Sequence, residues 1–202
     1  MTTDMIGYIY RSVNVRGDMS QNKRAELIRK ALLLFYRNGF HATGMDLVAK
    51  ETGVSKTSIY KHFRTKQELI LAVLRLRDEN FRNWLFRRME ELADTPQGQL
   101  LAMFDALEEW FLEDGFQGCM FIKASAEYQN PDDAINAQSY AHKRLLVDHF
   151  EILAAQAGAE NPHALARQFL LLKEGAIVIA AMSHSQDAAH EAKSVAELLL
   201  AS

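Results

Sequence analysis

The chain has few of the residues and patterns that define secreted, membrane or β-rich proteins. It contains a single cysteine, Cys119, so no disulfide can form within the chain, which favours a reducing compartment. No run of about 18 apolar residues is present, and residues 1–18 lack the apolar core of a signal peptide. We therefore expect a cytoplasmic protein without a membrane span or a membrane partner.

The apolar pattern also lacks any segment that alternates with period two, so we expect no β-sheet. The chain has only three prolines, and each follows a residue that favours a helix N-cap: Thr95, Asn130 and Asn161. Proline is favoured at the first helical position, so each pair of a cap residue and the following proline predicts a helix start. The sequence predicts an all-α chain of nine helices, over 22–37, 45–51, 56–62, 66–93, 96–113, 119–128, 131–157, 162–184 and 188–200.

Charge is distributed unevenly along the chain, although the net charge is only −3. Residues 20–66 hold ten Lys and Arg against three Asp and Glu, a net charge of +7. Residues 67–202 hold eleven Lys and Arg against twenty-one Asp and Glu, a net charge of −10. A cationic segment joined to an acidic remainder is typical of a protein that binds nucleic acid through one end only.

The most informative stretch is 43–66, where two short helices and a tight turn are predicted. Gly53 can adopt the left-handed conformation that ends the first helix, and Ser55 is a suitable N-cap for the second. The second helix, 56–62, is expected to bury Ile59 and Phe63 and to expose mainly donors and cations. This is a helix-turn-helix pattern suited to a DNA major groove, although a solvated helix hairpin would show similar features.

Residues 22–75 resemble the DNA-binding domain of the tetracycline-repressor (TetR) family. The resemblance implies a dimeric regulator with a DNA-binding domain over 20–66 and a ligand-binding and dimerisation domain over 67–202. Its partners would be double-stranded DNA carrying a pseudo-palindromic operator and a small effector. The matching residues are Ala31, Phe35, Gly39, Phe40, Thr43, Leu47, Val48, Ala49, Gly53, Val54, Ser55, Thr57, Ile59, Tyr60, His62, Phe63, Lys66, Leu69 and Leu76.

The resemblance also implies roles in DNA binding. Tyr60 and Lys66 match positions that contact phosphate, and the Thr43 hydroxyl with the N–H groups of the next helix could hold another phosphate. Residues 1–19 do not fit the family pattern. They are a misassigned start, a flexible arm, or a segment that reaches the minor groove through Arg11 and Arg16. The resemblance further implies that five residues lie at or beside the groove-facing positions: Lys56, Thr57, Ser58, Lys61 and His62.

An aromatic-rich set over the middle helices has two interpretations. Such a stripe at helical spacing is often simply core, but the resemblance implies a small-ligand site in this region. A mostly apolar site with a few polar groups would select a hydrophobic or aromatic effector. The helix over 66–93 would connect this site to the DNA-binding helices. The candidate ligand-binding residues are Trp84, Phe104, Leu107, Trp110, Phe111, Met120, Phe121, Ala124, Glu127, Tyr128, His149 and Phe150.

The single cysteine and the histidines raise the question of two further kinds of site. Cys119 is either a redox or electrophile sensor or, because Met120 and Phe121 follow it, a buried structural thiol. His142 and His149 lie two helical turns apart, which is too far for one metal ion, so neither a metal site nor a cofactor is expected.

The final helices, 162–184 and 188–200, are apolar and contain small residues such as Ala180. They could face the core or form a symmetric four-helix interface, and we expect the homodimer there. No nucleophile–base arrangement predicts an enzyme. The function predicted is a repressor that its effector releases from DNA. An activator, or a DNA-binding protein without a ligand, is the alternative.

Overall fold

The computed structural model describes residues 19–183 and 187–201. The predicted arm with Arg11 and Arg16 lies outside these residues. The described chain forms two compact units. The N-terminal unit comprises residues 19–80 and 120–140, and the C-terminal unit comprises 81–119, 141–183 and 187–201. These units divide the chain differently from the predicted domains 20–66 and 67–202, which stay a prediction.

The all-α class is confirmed, because the described residues contain nine helices and no strand. The first helix begins earlier than predicted, at Met19. Within the described residues, no helix is long and apolar enough to cross a membrane. The helices are α1 Met19–Asn38, α2 Met45–Thr52, α3 Lys56–His62, α4 Lys66–Leu92, α5 Pro96–Phe111, α6 Met120–Glu127, α7 Ala134–Gln156, α8 Pro162–Ser183 and α9 Ala188–Ala201.

Two of the three proline-based helix starts are correct. The Thr95 hydroxyl accepts a hydrogen bond from the Gly98 N–H at 3.1 Å, with Pro96 as the first residue of α5. The Asn161 side chain accepts from the Ala164 N–H, also at 3.1 Å, before Pro162 begins α8. Each cap satisfies one of the backbone donors that a helix start leaves without a partner.

The third start, at Pro131, is wrong. Asn130 and Pro131 instead form a turn, closed by a 3.0 Å hydrogen bond from the Asp133 N–H to the Asn130 carbonyl. The Asp133 carboxylate then accepts from the Ile135 N–H at 2.7 Å and caps α7, which begins at Ala134. Asn-Pro suits a turn as well as a helix start, and the better cap three residues later decides between them.

The N-terminal unit is built on a continuous apolar core. Phe35 of α1, Val48 of α2, Ile59 of α3 and Leu69 of α4 are all fully buried. α1 packs on α2, and α2 packs on α3. This packing fixes the position of the two short helices, which are too short to be stable alone.

In the C-terminal unit, α9 packs on α8 and α5. Ala176, Ala180 and Ala188 form a buried cluster, and Phe111 and Phe116 pack against it. The prediction that placed Ala180 at a dimer interface is therefore wrong, because its methyl group faces the core of its own unit. α8 has apolar residues on more than one face, and the pattern alone does not show which face is covered.

Candidate nucleic-acid interface and effector site

α2 and α3 are joined by a tight turn in the N-terminal unit. Gly53 adopts a φ of 72°, and its N–H donates to the Ala49 carbonyl at 3.1 Å, which ends α2. The Ser55 hydroxyl accepts from the Ser58 N–H at 3.2 Å and caps α3. Both local signals read from the sequence act as predicted, and they give the helix-turn-helix its geometry.

α3 has one buried face and one open face. Ile59 is fully buried, and Phe63, just after the helix, is 2% exposed and lies under the Arg24 guanidinium. The open face carries two hydroxyls and two ammonium groups, which suit phosphates and base edges. Lys56, Thr57, Tyr60 and Lys61 are exposed, and Ser58 and His62 are half-buried.

Lys56 on α3 pairs with an acidic neighbour. Its Nζ lies 2.7 Å from a carboxylate oxygen of Asp46 on α2. This hydrogen bond, helped by the charges of Asp46 and Tyr60, raises the pKa of Lys56 above its ordinary value, although desolvation opposes it. Both side chains are largely exposed, so the pair is weak and a hydrogen-bond acceptor on DNA could replace Asp46.

Thr43 does not lie where its predicted role requires. The residue is fully buried, and its hydroxyl donates to the Gly39 carbonyl at 2.6 Å. The hydroxyl therefore supports the turn before α2 and is not exposed to a phosphate. Gly44, the N-cap residue, has no side chain to cap α2, and phosphate binding by the backbone N–H groups at that helix start stays a prediction.

Lys66 lies near the same turn. Its Nζ donates to the His41 carbonyl at 3.3 Å, and the side chain is half-buried at the start of α4. Burial lowers the pKa of Lys66, and the nearby charge of Glu127 opposes that effect. The start of α4 is capped by Thr65, whose hydroxyl accepts from the Glu68 N–H at 3.1 Å.

Glu127, predicted as an effector contact, has a different contact here. Its carboxylate accepts hydrogen bonds from the N–H groups of Phe40 and His41, the first at 2.8 Å, and pairs with the His41 ring at 3.2 Å. Gly39, with a φ of 81°, allows this approach, because a Cβ there would lie 2.9 Å from the carboxylate. The end of α6 therefore anchors the turn between α1 and α2.

Neighbours of Glu127 strengthen this anchor. The Tyr128 ring lies 4.8 Å from the His41 ring, and the Lys123 ammonium donates to the Tyr36 carbonyl at 3.2 Å. Burial, with the charge of Glu127, raises the pKa of Tyr128. Sequence reasoning missed Lys123, since nothing local relates it to α1. The other predicted ligand residues of this unit, Met120, Phe121 and Ala124, are buried.

The remaining predicted effector residues lie in the C-terminal unit, where part of the set comes together. We call Phe81, Trp84, Trp110, Phe111 and Phe116 the aromatic cluster. The Phe81 ring lies 5.7 Å from Trp84 and 5.3 Å from Trp110, and Phe116 lies 4.9 Å from Trp110. Trp110 meets Phe81 and Phe116 edge-on, a favourable geometry at these separations, and the Phe81–Trp84 pair is tilted, so the cluster is closely packed.

Other members of the predicted set lie in separate contacts. Phe104 pairs with Phe169 at 6.0 Å, and His149 stacks on Phe86 at 3.6 Å. Burial lowers the pKa of His149, and the charge of Glu90 offsets this only in part. Leu107 and Phe150 are fully buried.

Sequence reasoning missed a group of charged residues inside the C-terminal unit. Lys143 Nζ lies 2.7 Å from Glu174 Oε2 and 3.2 Å from the Cys119 sulfur. Lys173 Nζ lies 2.8 Å from Glu174 Oε1 and 5.1 Å from the centre of the Phe81 ring. Lys173 is fully buried. The sequence did contain a signal for this burial. Lys173 lies four residues after Phe169 and four before Ile177, and that spacing puts all three on the buried face of α8.

The charged side chains in this group shift one another's pKa values. Burial favours the neutral carboxyl of Glu174, but Lys173 and Lys143 outweigh it and lower the pKa to about 2. Burial would lower the pKa of Lys143, but Cys119 and Glu174 outweigh it and raise the value. For Lys173, burial dominates and lowers the pKa. We call Cys119, Lys143, Lys173 and Glu174 the buried charge cluster.

Histidine and acidic residues do not combine into a metal site in the part of the chain that is described. No group of three or more His, Cys, Asp or Glu side chains is arranged to hold an ion there. His142 is buried beside Phe81, with ring centres 5.7 Å apart.

Comparisons with known proteins agree with this geometry. Residues 27–73 match the family model described as bacterial regulatory proteins, tetR family. The regulator YjdC of Escherichia coli strain K12 is 24% identical over 178 residues, which cover 88% of this chain and 93% of that protein. The transcriptional activator FasR of Mycolicibacterium smegmatis is 32% identical over 143 residues, 70% of this chain and 64% of that protein.

A solved structure extends the match to the fold. A TetR-family transcriptional regulator from Streptomyces coelicolor superposes with a TM-score of 0.82 at 28% identity, covering 89% of this chain and 95% of that one. The helix-turn-helix and the helical remainder therefore define a DNA-binding regulator of transcription. More specifically, the chain belongs to the TetR family. Its relatives are regulators and not enzymes.

Proposed function

We propose that the protein is a homodimeric repressor that binds a pseudo-palindromic operator and is released from it by a small hydrophobic or aromatic molecule. The observation that carries the proposal is the open face of α3, which carries hydroxyls and ammonium groups on a buried support. Such a regulator works where the chromosome lies, which in a bacterium is the cytoplasm.

The DNA contacts divide into two kinds. Lys56, Thr57 and Lys61 would contact base edges, and Ser58 and His62 would lie beside them on the same helix. Tyr60 and Lys66 would contact phosphates, as would the N–H groups that begin α2. The net charge of +7 over residues 20–66 supports this face as the DNA-binding one.

The dimer would form through an apolar face of α8 and α9 that the C-terminal unit leaves open. We call Leu171, Ile179, Met182, Val195 and Leu198 the open apolar face; each is at least 46% exposed. Gly175 lies between Leu171 and Ile179 on α8 and has open space where a side chain would be, so a partner helix could approach closely. Exposed apolar groups of this number on adjacent helices indicate a protein contact.

The effector would bind against the aromatic cluster. Because the rings already pack closely, a ligand would have to spread them. Phe81 and Trp84 lie on α4. This continuous helix begins at Lys66, which contacts the turn that precedes α2. A ligand that moved this helix would change the position of the DNA contacts, and coupling energies of about 1–3 kcal/mol are typical of such systems.

Activation is the second candidate, because FasR is named as an activator. The sign of regulation depends on where the operator lies relative to the promoter, so an activator would use the same DNA contacts. A DNA-binding protein without a ligand is the other alternative, and it differs in predicting no change in DNA affinity with any compound.

Two measurements on the purified protein test the proposal. Footprinting on DNA that flanks its own gene should protect a pseudo-palindrome. A panel of hydrophobic compounds is then titrated against the protein alone and the protein on that operator, with Trp84 and Trp110 fluorescence as readout. An effector should bind the operator complex about 5- to 150-fold more weakly, and reciprocity requires it to weaken DNA binding equally. Equal affinities in both titrations would leave a constitutive DNA binder.

A further inference from the structure

The buried charge cluster contains more positive than negative charge. Glu174 is the one carboxylate paired with Lys143 or Lys173 in the described part of the chain. With both lysines protonated and Cys119 a neutral thiol, the cluster carries an excess of one positive charge, and the lowered pKa of Lys173 reflects the cost of burying that charge. An ammonium held out of water without full compensation is costly, so buried charges are normally paired.

Lys173 is the less compensated of the two lysines. Lys143 has a carboxylate oxygen at 2.7 Å and a sulfur at 3.2 Å, and its side chain keeps 19% exposure. Lys173 has one carboxylate oxygen at 2.8 Å, and its side chain keeps only 1% exposure. An ammonium can donate three hydrogen bonds, so Lys173 keeps donor capacity that Glu174 alone does not use.

The position of Lys173 relates this charge to the aromatic cluster. Its ammonium lies 5.1 Å from the centre of the Phe81 ring, a cation–π distance. Phe81 in turn contacts Trp84 and Trp110. A ligand seated against these rings would therefore have a buried positive charge within reach.

We propose that the effector is an organic monocarboxylate, with its apolar or aromatic body against the aromatic cluster and its carboxylate paired with Lys173. This inference rests on the proposed effector site and names the chemical class that the site takes. A single negative charge cancels the excess, whereas a phosphate dianion would reverse it. A neutral amide of the same shape would leave the excess charge in place.

The test compares acids with their amides. Cinnamate and octanoate are titrated against the full-length protein by calorimetry, next to cinnamamide and octanamide. Each acid should bind at least tenfold more tightly than its amide. Lys173→Met, which keeps the length of the side chain, should reduce acid affinity roughly 10- to 100-fold, as expected for the loss of a charged hydrogen bond. Arg167→Met removes an exposed charge from the same helix and should change acid affinity less than twofold.

Thermal unfolding separates a binding site from a structural ion pair. Lys173→Met without ligand should be at least as stable as the wild type, because it removes a charge that is not fully compensated. The acids should raise the melting temperature of the wild type and not that of Lys173→Met. If Lys173→Met unfolds well below the wild type while Arg167→Met does not, Lys173 is a structural partner of Glu174 and the proposal is wrong.

The other outcomes are equally decisive. Equal affinity for acids and amides, or no binding of either acid, would overturn the monocarboxylate assignment. Acid binding that appears or becomes tighter only in Cys119→Ser would show that a Cys119 thiolate already supplies the negative charge in the wild type and would also overturn it. None of these results depends on operator binding, which is measured separately by footprinting, so failure here leaves the DNA-binding proposal standing.

Discussion

The carboxylate of Glu127 accepts a hydrogen bond from the backbone N–H of Phe40, with oxygen and nitrogen 2.8 Å apart. The two residues are 87 positions apart in the sequence, and the bond joins the end of α6 to the turn that precedes α2. Because the same turn contains the Thr43 hydroxyl contact and the His41 carbonyl that binds Lys66, this one carboxylate supports several groups near the expected phosphate contacts.

Removal of the Glu127 carboxylate should therefore loosen the turn. We expect Glu127→Ala to lower the free energy of unfolding by about 1–3 kcal/mol, because the N–H groups of Phe40 and His41 lose their charged acceptor. Operator affinity should fall as well. Chemical denaturation and DNA titration measure the two effects. Glu79→Gln, an exposed carboxylate on α4, is the control and should match the wild type. Wild-type stability in Glu127→Ala would show that the anchor contributes nothing.

Phosphate contacts should be distinguishable by their response to salt. Lys66→Met should weaken binding to operator and random DNA alike and reduce the slope of log affinity against log salt by ~0.9, as expected for one lost phosphate contact. Tyr60→Phe should weaken binding without changing the slope, because the phenol is neutral. Fluorescence anisotropy over a range of salt concentrations gives both quantities. Arg75→Met, which removes an exposed cation on α4, is the control. If Arg75→Met reduces the slope as much as Lys66→Met does, the change in slope does not report a specific phosphate contact of Lys66.

Two exposed isoleucines provide a test and a matched control for the predicted dimer interface. Ile179, on the open apolar face, is 50% exposed, and Ile152, elsewhere in the C-terminal unit, is 56% exposed. Ile179→Arg should give folded monomers by light scattering, because it would place a charge in the interface. Ile152→Arg should stay dimeric. If both variants have the mass of the wild type, the interface lies elsewhere.

The charge of Glu174 should make stability depend on pH. Its folded pKa of about 2 lies below its ordinary value of 4.5, so the charged carboxylate contributes stability at pH values above that ordinary pKa. That contribution should disappear as pH falls from about 5 through 2. Glu174→Gln should unfold more easily than the wild type at pH 7, and the difference should shrink over this acid range. A difference that stays constant from pH 7 to pH 3 would contradict the assigned ion pairs.

Local signals predicted most of the helices, and long-range contacts account for the errors. Thr95-Pro96 and Gly53 act within a few residues, so the sequence shows them directly. Asn130-Pro131 fits two local structures, and the Asp133 cap decides between them. The orientation of Ala180 depended on which apolar face of α8 is covered, which no single-chain pattern reveals.

The site was predictable to a similar degree. The open face of α3 follows from the period of Ile59 and Phe63, so its exposed residues were visible in the sequence. Glu127 was placed in a ligand site because its partners, Phe40 and His41, lie far away in the chain. Lys173 was overlooked because a lysine normally occupies the surface, although its spacing from Phe169 and Ile177 places it inside.

The central claim is that α3 reads DNA sequence, and one comparison tests it most directly. The affinities of the wild type, Thr57→Val and Lys61→Met are measured for the footprinted operator and for a scrambled duplex of equal length at one salt concentration. The wild type should prefer the operator by roughly 10³-fold or more. Each variant should lose about 1–3 kcal/mol of that preference while binding the scrambled duplex with little change or, for Lys61→Met, slightly more weakly. Equal wild-type affinity for both duplexes, or variants that keep the full preference, would contradict the assignment of α3 as the recognition helix.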